Sequence, residues 1–387
     1  MIIRDKGYFV SYLKNNQTLL PFDEWKKNTN LYKIWNQRVD ADDIRYKLCN
    51  GDVDVFVNRV YTFLENNLDN FLYRVYESSF SDKGFSPIER ITNDSDGILS
   101  KSNNSGYFRN VCMEEIVECG GDNDISLSIK TAIEKTLKGQ VRKCFFMPSV
   151  YEDVHNNRIG SNMVLSFNKS CKLASILSPN VYHSLLKTLI VHSVQKPKDI
   201  LFSTASWCVP VIAVENLGYE NVSIVDVQAE VLKKCEQVWK TRQEQSLFDF
   251  GDYNLNTYCV PSEQMDQVIT QKYDHIISCP PYYDLEIYSG SDQQSTDLYK
   301  TYEEWLEKYW RQTVIASKNL LKENGIFAFI MGHNIRYRFM ANDMIEIAKQ
   351  ERLQLMDQIK IMPKKKTNSI HSSSIEKYEV CSYFIPI

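Results

Sequence analysis

The sequence predicts an α/β protein with an open, doubly wound and mostly parallel sheet in its C-terminal part, preceded by a helix-rich region. Three observations carry that expectation. Past Lys196 the chain alternates apolar runs with amphipathic helical patterns. Those runs are continuous, as in strands covered on both faces, where a half-solvated sheet would alternate. The length of 387 residues suits two domains, or one large α/β domain with an appendage. We place the boundary near residue 150: 1–150 is a helix-rich N-terminal region without an assigned role, and 151–387 is the α/β domain.

In the first part, Val53, Phe56, Val57, Val60, Tyr61, Leu64 and Leu68 recur at spacings of three and four, which predicts an amphipathic helix. The stretch 86–108, with Gly97, Gly106 and many Ser and Asn, reads as a long loop. A second helical pattern spans Ile125 to Gly139, whose glycine suits a C-cap. In the second part, DILFSTA after Pro197, VSIVD ending at Asp226, YDHIIS running into a double proline, and GIFAFIMG read as strands. VPVIAVENLG ending at Gly218, AEVLKKCEQVWK, and the long stretch from Thr301 to Gly325 read as helices. Thr301 and Glu304 form a capping box, Gly325 is the expected stop, and Trp305 and Trp310 are expected in the core. Ile224, Val225, Ile276, Ile277, Phe327 and Phe329 are the expected central-strand core.

Lys and Arg number 45 against 49 Asp and Glu, for a net charge of −4, so the field of the whole molecule would not attract a polyanion. A nucleic-acid partner would need a local basic patch. The ten cysteines are scattered with no Cys-x-x-Cys pair, which argues against a structural zinc site and for reduced, buried thiols in the cytoplasm. The N-terminus carries charges too early for a secretory signal, and no stretch is apolar enough to span a membrane.

In an open α/β sheet, ligands gather beyond the carboxyl ends of the strands. There the strand YDHIIS meets Cys279-Pro280-Pro281-Tyr282. Two prolines cannot continue a ladder, so they fix a rigid turn with the Cys279 backbone on one side and the Tyr282 ring on the other. A flipped base would stack on that ring with its amino group against those acceptors.

This motif, read with VPSEQMD before it and TYEEWLEKYW after it, resembles the Pro-Pro-Tyr signature of amino-group DNA methyltransferases. Those enzymes methylate adenine N6 or cytosine N4, and the resemblance is to a branch common in bacteriophages and large DNA viruses. It runs from about Ser178 to Ile387. It implies a Rossmann-like S-adenosylmethionine-dependent methyltransferase fold, with a cofactor loop at Ser203, Ala205, Ser206 and Cys208 and a ribose-binding acid at Asp226. In the family the loop carries an acid and two glycines; here Phe202 stands for the acid, and Ser206 and Cys208 for the glycines. Trp207 lies between them. Cys279 replaces the residue that accepts from the target amino group, and a neutral thiol is a weak acceptor. A nucleophilic Cys279, as in carbon-5 methylation, is disfavoured because the cysteine precedes the proline.

Lys364, Lys365 and Lys366 form a run of the kind that is usually a solvated loop; near the expected cleft they also suit phosphate contacts, and Arg336 and Arg338 interleave with aromatics. Two classes of function follow. In the first, the chain is a methyltransferase-fold protein that has lost catalysis and serves as a binding or structural subunit, with nucleic acid or protein as partner and with no cofactor required. Alternatively it is an active S-adenosylmethionine-dependent DNA methyltransferase, alone or with its site completed by a partner subunit.

Overall fold

The computed structural model describes residues 93–94, 97–100, 111–112, 157–159, 176–245, 253–284, 294–332, 337, 339–363 and 379–387, with short pieces at 62–63, 66–67 and 70. The chain divides into two compact units. One comprises Met1–Ile2, Gly84–Glu115 and Ser175–Ile387; the other comprises Ile3–Lys83 and Ile116–Ala174. In the second unit Thr62 and Phe63 are helical, within the first amphipathic pattern, and Asn67 Nδ2 donates to the Phe63 carbonyl at 2.9 Å. The rest of that pattern and the pattern at 125–139 lie outside the described residues.

The first unit is built on one nine-stranded sheet of order β1-β2-β8-β9-β7-β6-β3-β4-β5. Its strands are β1 (Asn93–Asp94), β2 (Gly97–Ser100), β3 (Asp199–Phe202), β4 (Asn221–Asp226), β5 (Asn254–Cys259), β6 (Tyr273–Ser278), β7 (Leu321–Gly332), β8 (Leu353–Pro363) and β9 (Glu379–Pro386). From β7 through β5 the pairings are all parallel; β9 runs antiparallel to both β7 and β8. Strand order reverses between β3 and β6: β3, β4 and β5 proceed to one edge, and β6 and β7 lie on the other side. Within the sheet, β3 to β9 make a seven-stranded, mostly parallel arrangement with its last strand inserted antiparallel, which is the Rossmann-like methyltransferase fold. The reversal at β3 and β6 opens the crevice where this fold holds its ligands.

The helices are α1 (Pro179–His192), α2 (Val209–Ala213), α3 (Ala229–Gln245), α4 (Ser295–Leu298), α5 (Tyr302–Glu304), α6 (Arg311–Leu320) and α7 (Met340–Gln350). A π-helical turn, Trp305–Trp310, joins α5 to α6. Ser178 caps α1, accepting from Asn180 N, and Thr301 caps α5, accepting from Glu304 N at 3.1 Å. Glu304 completes this cap one residue off the usual box, accepting from Lys300 N at 3.2 Å.

The expected core is in place: Ile224, Val225, Ile276, Ile277, Phe327 and Phe329 are all buried. Trp305 and Trp310 are fully buried in one cluster with Val225, Ile276, Phe327 and Phe329, and Trp310 is edge-on to Phe329 at 4.9 Å between ring centres. Three expectations need correction, the first being the helix expected to reach Gly218, which ends at Ala213. The stretch 86–108 is not all loop, because residues 93–94 and 97–100 form strands and β2 pairs with β8. Edge pairing supplies there what the Gly- and Ser-rich sequence does not advertise. The long helix also ends at Leu320, not Gly325. Gly325 instead lies in β7, where an added Cβ would fall 3.0 Å from the Tyr273 carbonyl oxygen. Its lack of a side chain lets β7 approach β6 at the register shift after Tyr273.

Candidate functional site

At the carboxyl ends of β3, β4, β5 and β6 lies a cleft of about 1040 Å³, open to solvent. Its wall is built by four turns, each leaving one of those strands.

The turn after β3 is the most unusual piece of backbone. Ser206, Trp207 and Cys208 have φ of 43°, 57° and 66°, three successive left-handed residues without a glycine. Each such residue is disfavoured by roughly 1–2 kcal/mol for an L side chain, so surrounding bonds must hold the turn. Ala205 N donates to Asp226 Oδ2 at 3.0 Å, tying the loop to the end of β4. Thr204 Oγ1 donates to the Cys279 carbonyl at 3.2 Å, tying it to the end of β6. Ser203 Oγ donates to Ser278 Oγ at 2.8 Å, and the Ser206 and Tyr182 hydroxyls share a 2.9 Å hydrogen bond. The loop thus keeps a glycine-type path on polar anchors from three elements. Phe202 is buried edge-on to Tyr182 and does not line the cleft.

Ser203 and Ser206 line the cleft, as do Thr204 and Trp207. Ala205 and Cys208 do not. The Cys208 thiol points into the core, 3.5 Å from Cys112 Sγ, and burial pushes its pKa well up, so it is inert. Asp226 is half-buried on the floor of the cleft and accepts from Ala205 N and Gln228 N, one on each oxygen. Burial raises its carboxyl above the ordinary value, against the pull of those amides and that of Val227.

Cys279, Pro280, Pro281 and Tyr282 form the opposite wall. The turn is fixed at Tyr283, whose φ is 51° and whose hydroxyl donates to the Lys300 carbonyl at 2.7 Å. The Tyr282 hydroxyl accepts from Gly332 N at 2.6 Å, so its ring is pinned against the end of β7.

Sequence reading missed Val260, Ser262, Glu263, Tyr309 and Glu379 as cleft residues. Glu263 is buried, raised by that burial, and accepts from the Tyr299 hydroxyl at 3.0 Å. The signal for it was available: VPSEQMD follows a strand whose carboxyl end meets the same crevice. Lys364, Lys365, Lys366, Arg336 and Arg338 lie outside the described residues. Among the described residues no cluster of His, Cys, Asp or Glu is placed to hold a metal ion, and no helix is long and apolar enough to cross a membrane.

The lining suits a nucleoside. Val227, Val231, Val260 and Pro261 offer apolar surface to a planar ring, and Asp226 offers acceptors to vicinal hydroxyls. The left-handed loop brings backbone to the cleft where an attached chain would run. These features fit S-adenosylmethionine.

No family model and no curated protein matches the chain. Among solved structures it is similar to the N-methyltransferase NodS of Bradyrhizobium japonicum (12% identity, TM-score 0.34), over 53% of this chain and 94% of that one. It is similar to a methyltransferase of Pyrococcus furiosus (12%, TM-score 0.36), over 54% and 84% of the two chains. An S-adenosylmethionine-dependent methyltransferase of Clostridium acetobutylicum (13%, TM-score 0.36) is similar over 53% and 90%.

Proposed function

We propose that this cleft binds S-adenosylmethionine and serves methylation of an exocyclic amino group on a nucleobase in DNA, as in the amino-methyltransferases of phages and large DNA viruses. The observation that carries this reading is the left-handed run Ser206-Trp207-Cys208, anchored to Asp226 and facing Cys279-Pro280-Pro281-Tyr282 across one cleft. Successive strained residues persist only where the surrounding structure holds them, and they cluster at ligand-binding sites, which is the pattern this loop follows.

In this reading Asp226 holds the ribose hydroxyls, Val227 and Val260 flank the adenine, and the backbone of 203–206 meets the methionine end. S-adenosylmethionine supplies an electrophilic methyl group on a sulfonium. The chain supplies the rest: Tyr282 and the two prolines hold a flipped base at fixed height, and the apolar walls exclude water. Lys364, Lys365, Lys366, Arg336 and Arg338 serve as phosphate contacts.

A second reading, a binding subunit without catalysis, is favoured by Cys279, which offers the target amino group only a weak acceptor. A partner subunit that completes the site would belong to the first reading. Calorimetry with S-adenosylmethionine and S-adenosylhomocysteine, followed by labelled-methyl incorporation into DNA, separates the two. Micromolar binding with incorporation supports methyl transfer, binding without incorporation supports the second reading, and no binding of either ligand overturns the first.

A further inference from the structure

We propose that Glu379 is the hydrogen-bond acceptor for the amino group of the target base, taking the part that Cys279 fills poorly. The inference rests on the methyltransferase reading above. It starts from topology. β9 is the only strand of β3–β9 that runs against its sheet, so its first residue, not its last, arrives at the edge where the other strands end. Glu379 is that residue, paired in register with Gly332 at the end of β7. It lines the cleft together with Cys279 and Tyr282.

The local geometry brings the carboxylate to the motif. A Cβ built on Gly332 would fall 2.7 Å from the Tyr282 hydroxyl oxygen and 3.2 Å from Glu379 Cγ, so both side chains lie over the one residue between them that has none. The Gly332 N–H already occupies the Tyr282 hydroxyl at 2.6 Å, and Thr204 Oγ1 already donates to the Cys279 carbonyl. The Cys279 carbonyl, the acceptor expected of the proline turn, thus has one of its two lone pairs engaged within the protein. An ionised carboxylate only accepts, so it favours an amino group over the oxo group of a deaminated base. The ligand class is therefore a nucleobase with an exocyclic amino group, adenine or cytosine.

The test uses the full chain saturated with S-adenosylhomocysteine and four single-stranded ten-nucleotide probes: oligo-deoxyadenosine, its inosine counterpart, oligo-deoxycytidine and its uridine counterpart. We expect at least tenfold tighter binding of one amino-bearing strand than of its oxo counterpart. In Glu379→Ala that preference disappears. In Glu379→Gln, whose amide can also donate, it disappears or reverses, while S-adenosylhomocysteine affinity and the thermal midpoint stay at the parent values. A preference retained in both variants, or none in the parent, overturns the role of Glu379. Failure of the parent to bind S-adenosylhomocysteine overturns the cofactor reading instead, and a strand preference lost in Glu379→Ala would still uphold the acceptor.

Discussion

Replacing Ser206 by glycine tests whether the cofactor loop is held in a conformation made for a ligand. The residue sits at φ 43°, so glycine relieves roughly 1–2 kcal/mol of left-handed strain. Against this, glycine frees the unfolded chain by about 0.5–1 kcal/mol. The lost bond between the Ser206 and Tyr182 hydroxyls, 2.9 Å long, costs about another 1 kcal/mol. These contributions nearly cancel, and the stability of Ser206→Gly should lie within about 1 kcal/mol of the parent. Binding should respond differently. A ligand chain laid along the loop must part the Ser206 hydroxyl from Tyr182, and glycine removes that competition. The affinity for S-adenosylhomocysteine should then rise by up to about fivefold, the equivalent of about 1 kcal/mol. Cys208→Gly is the control. Its thiol faces Cys112 and the Val231 carbonyl, away from the cleft, so in this variant the relief of left-handed strain opposes the core void in stability, and affinity should be unchanged. Denaturant unfolding and calorimetry read both quantities. Unchanged affinity in Ser206→Gly, or equal gains in the two variants, would refute the argument.

Phe329→Ala should cost about 3–5 kcal/mol, because the ring is fully buried among Trp310, Phe327 and Phe384; a thermal melt at the parent midpoint would remove Phe329 from the core. His275 is fully buried between the Ser193 and Tyr219 hydroxyls, and burial lowers its pKa to about 4, with Asp274 pulling weakly the other way. The neutral ring is the folded form, so its contribution is whole above about pH 6.5 and is lost as pH falls towards 4, by about 3 kcal/mol in all. His275→Asn should flatten that part of the stability profile, and an unaltered slope between pH 6.5 and 4.5 would count against it. Charge reversal at Lys364, Lys365 and Lys366 together should weaken nucleic-acid binding alike for all sequences and reduce its salt dependence; full affinity in the triple variant would place the phosphate contacts elsewhere.

The central strands were legible because burial on both faces writes itself as unbroken apolar sequence. β4 and β6 are VSIVD and YDHIIS, and their interiors are buried almost residue by residue. β5 was not read from NLNTYC because it is an edge strand, half-exposed along its length, with no apolar run to betray it. Asp226 and the Cys279-Pro280-Pro281-Tyr282 turn were legible for a related reason. A parallel sheet sends the carboxyl end of each strand to the same edge, so strand ends alone locate the crevice. Glu379 was hidden by that same rule, because it opens its strand and only the antiparallel insertion of β9 carries it to the site.

The cofactor loop shows a different limit. Without glycines at 206 and 208 the sequence reads as a motif decayed beyond use, since glycine is the residue that adopts left-handed backbone freely. Backbone conformation, however, is set by the whole balance of bonds and not by propensity alone. Here Ala205 N is fixed to Asp226, Thr204 to the Cys279 carbonyl, and the side chains of Trp207 and Cys208 are buried, so leaving the left-handed path would break contacts with both neighbouring strands. Two of those anchors, Asp226 and Cys279, are themselves residues of the cleft. The substitutions that look like loss in a string of letters therefore sit in a loop whose shape depends on the site being intact. It follows that Asp226→Ala should disturb the loop as well as the floor of the cleft. A structure of that variant with Ser206, Trp207 and Cys208 still left-handed would show that the loop is held by its buried side chains alone.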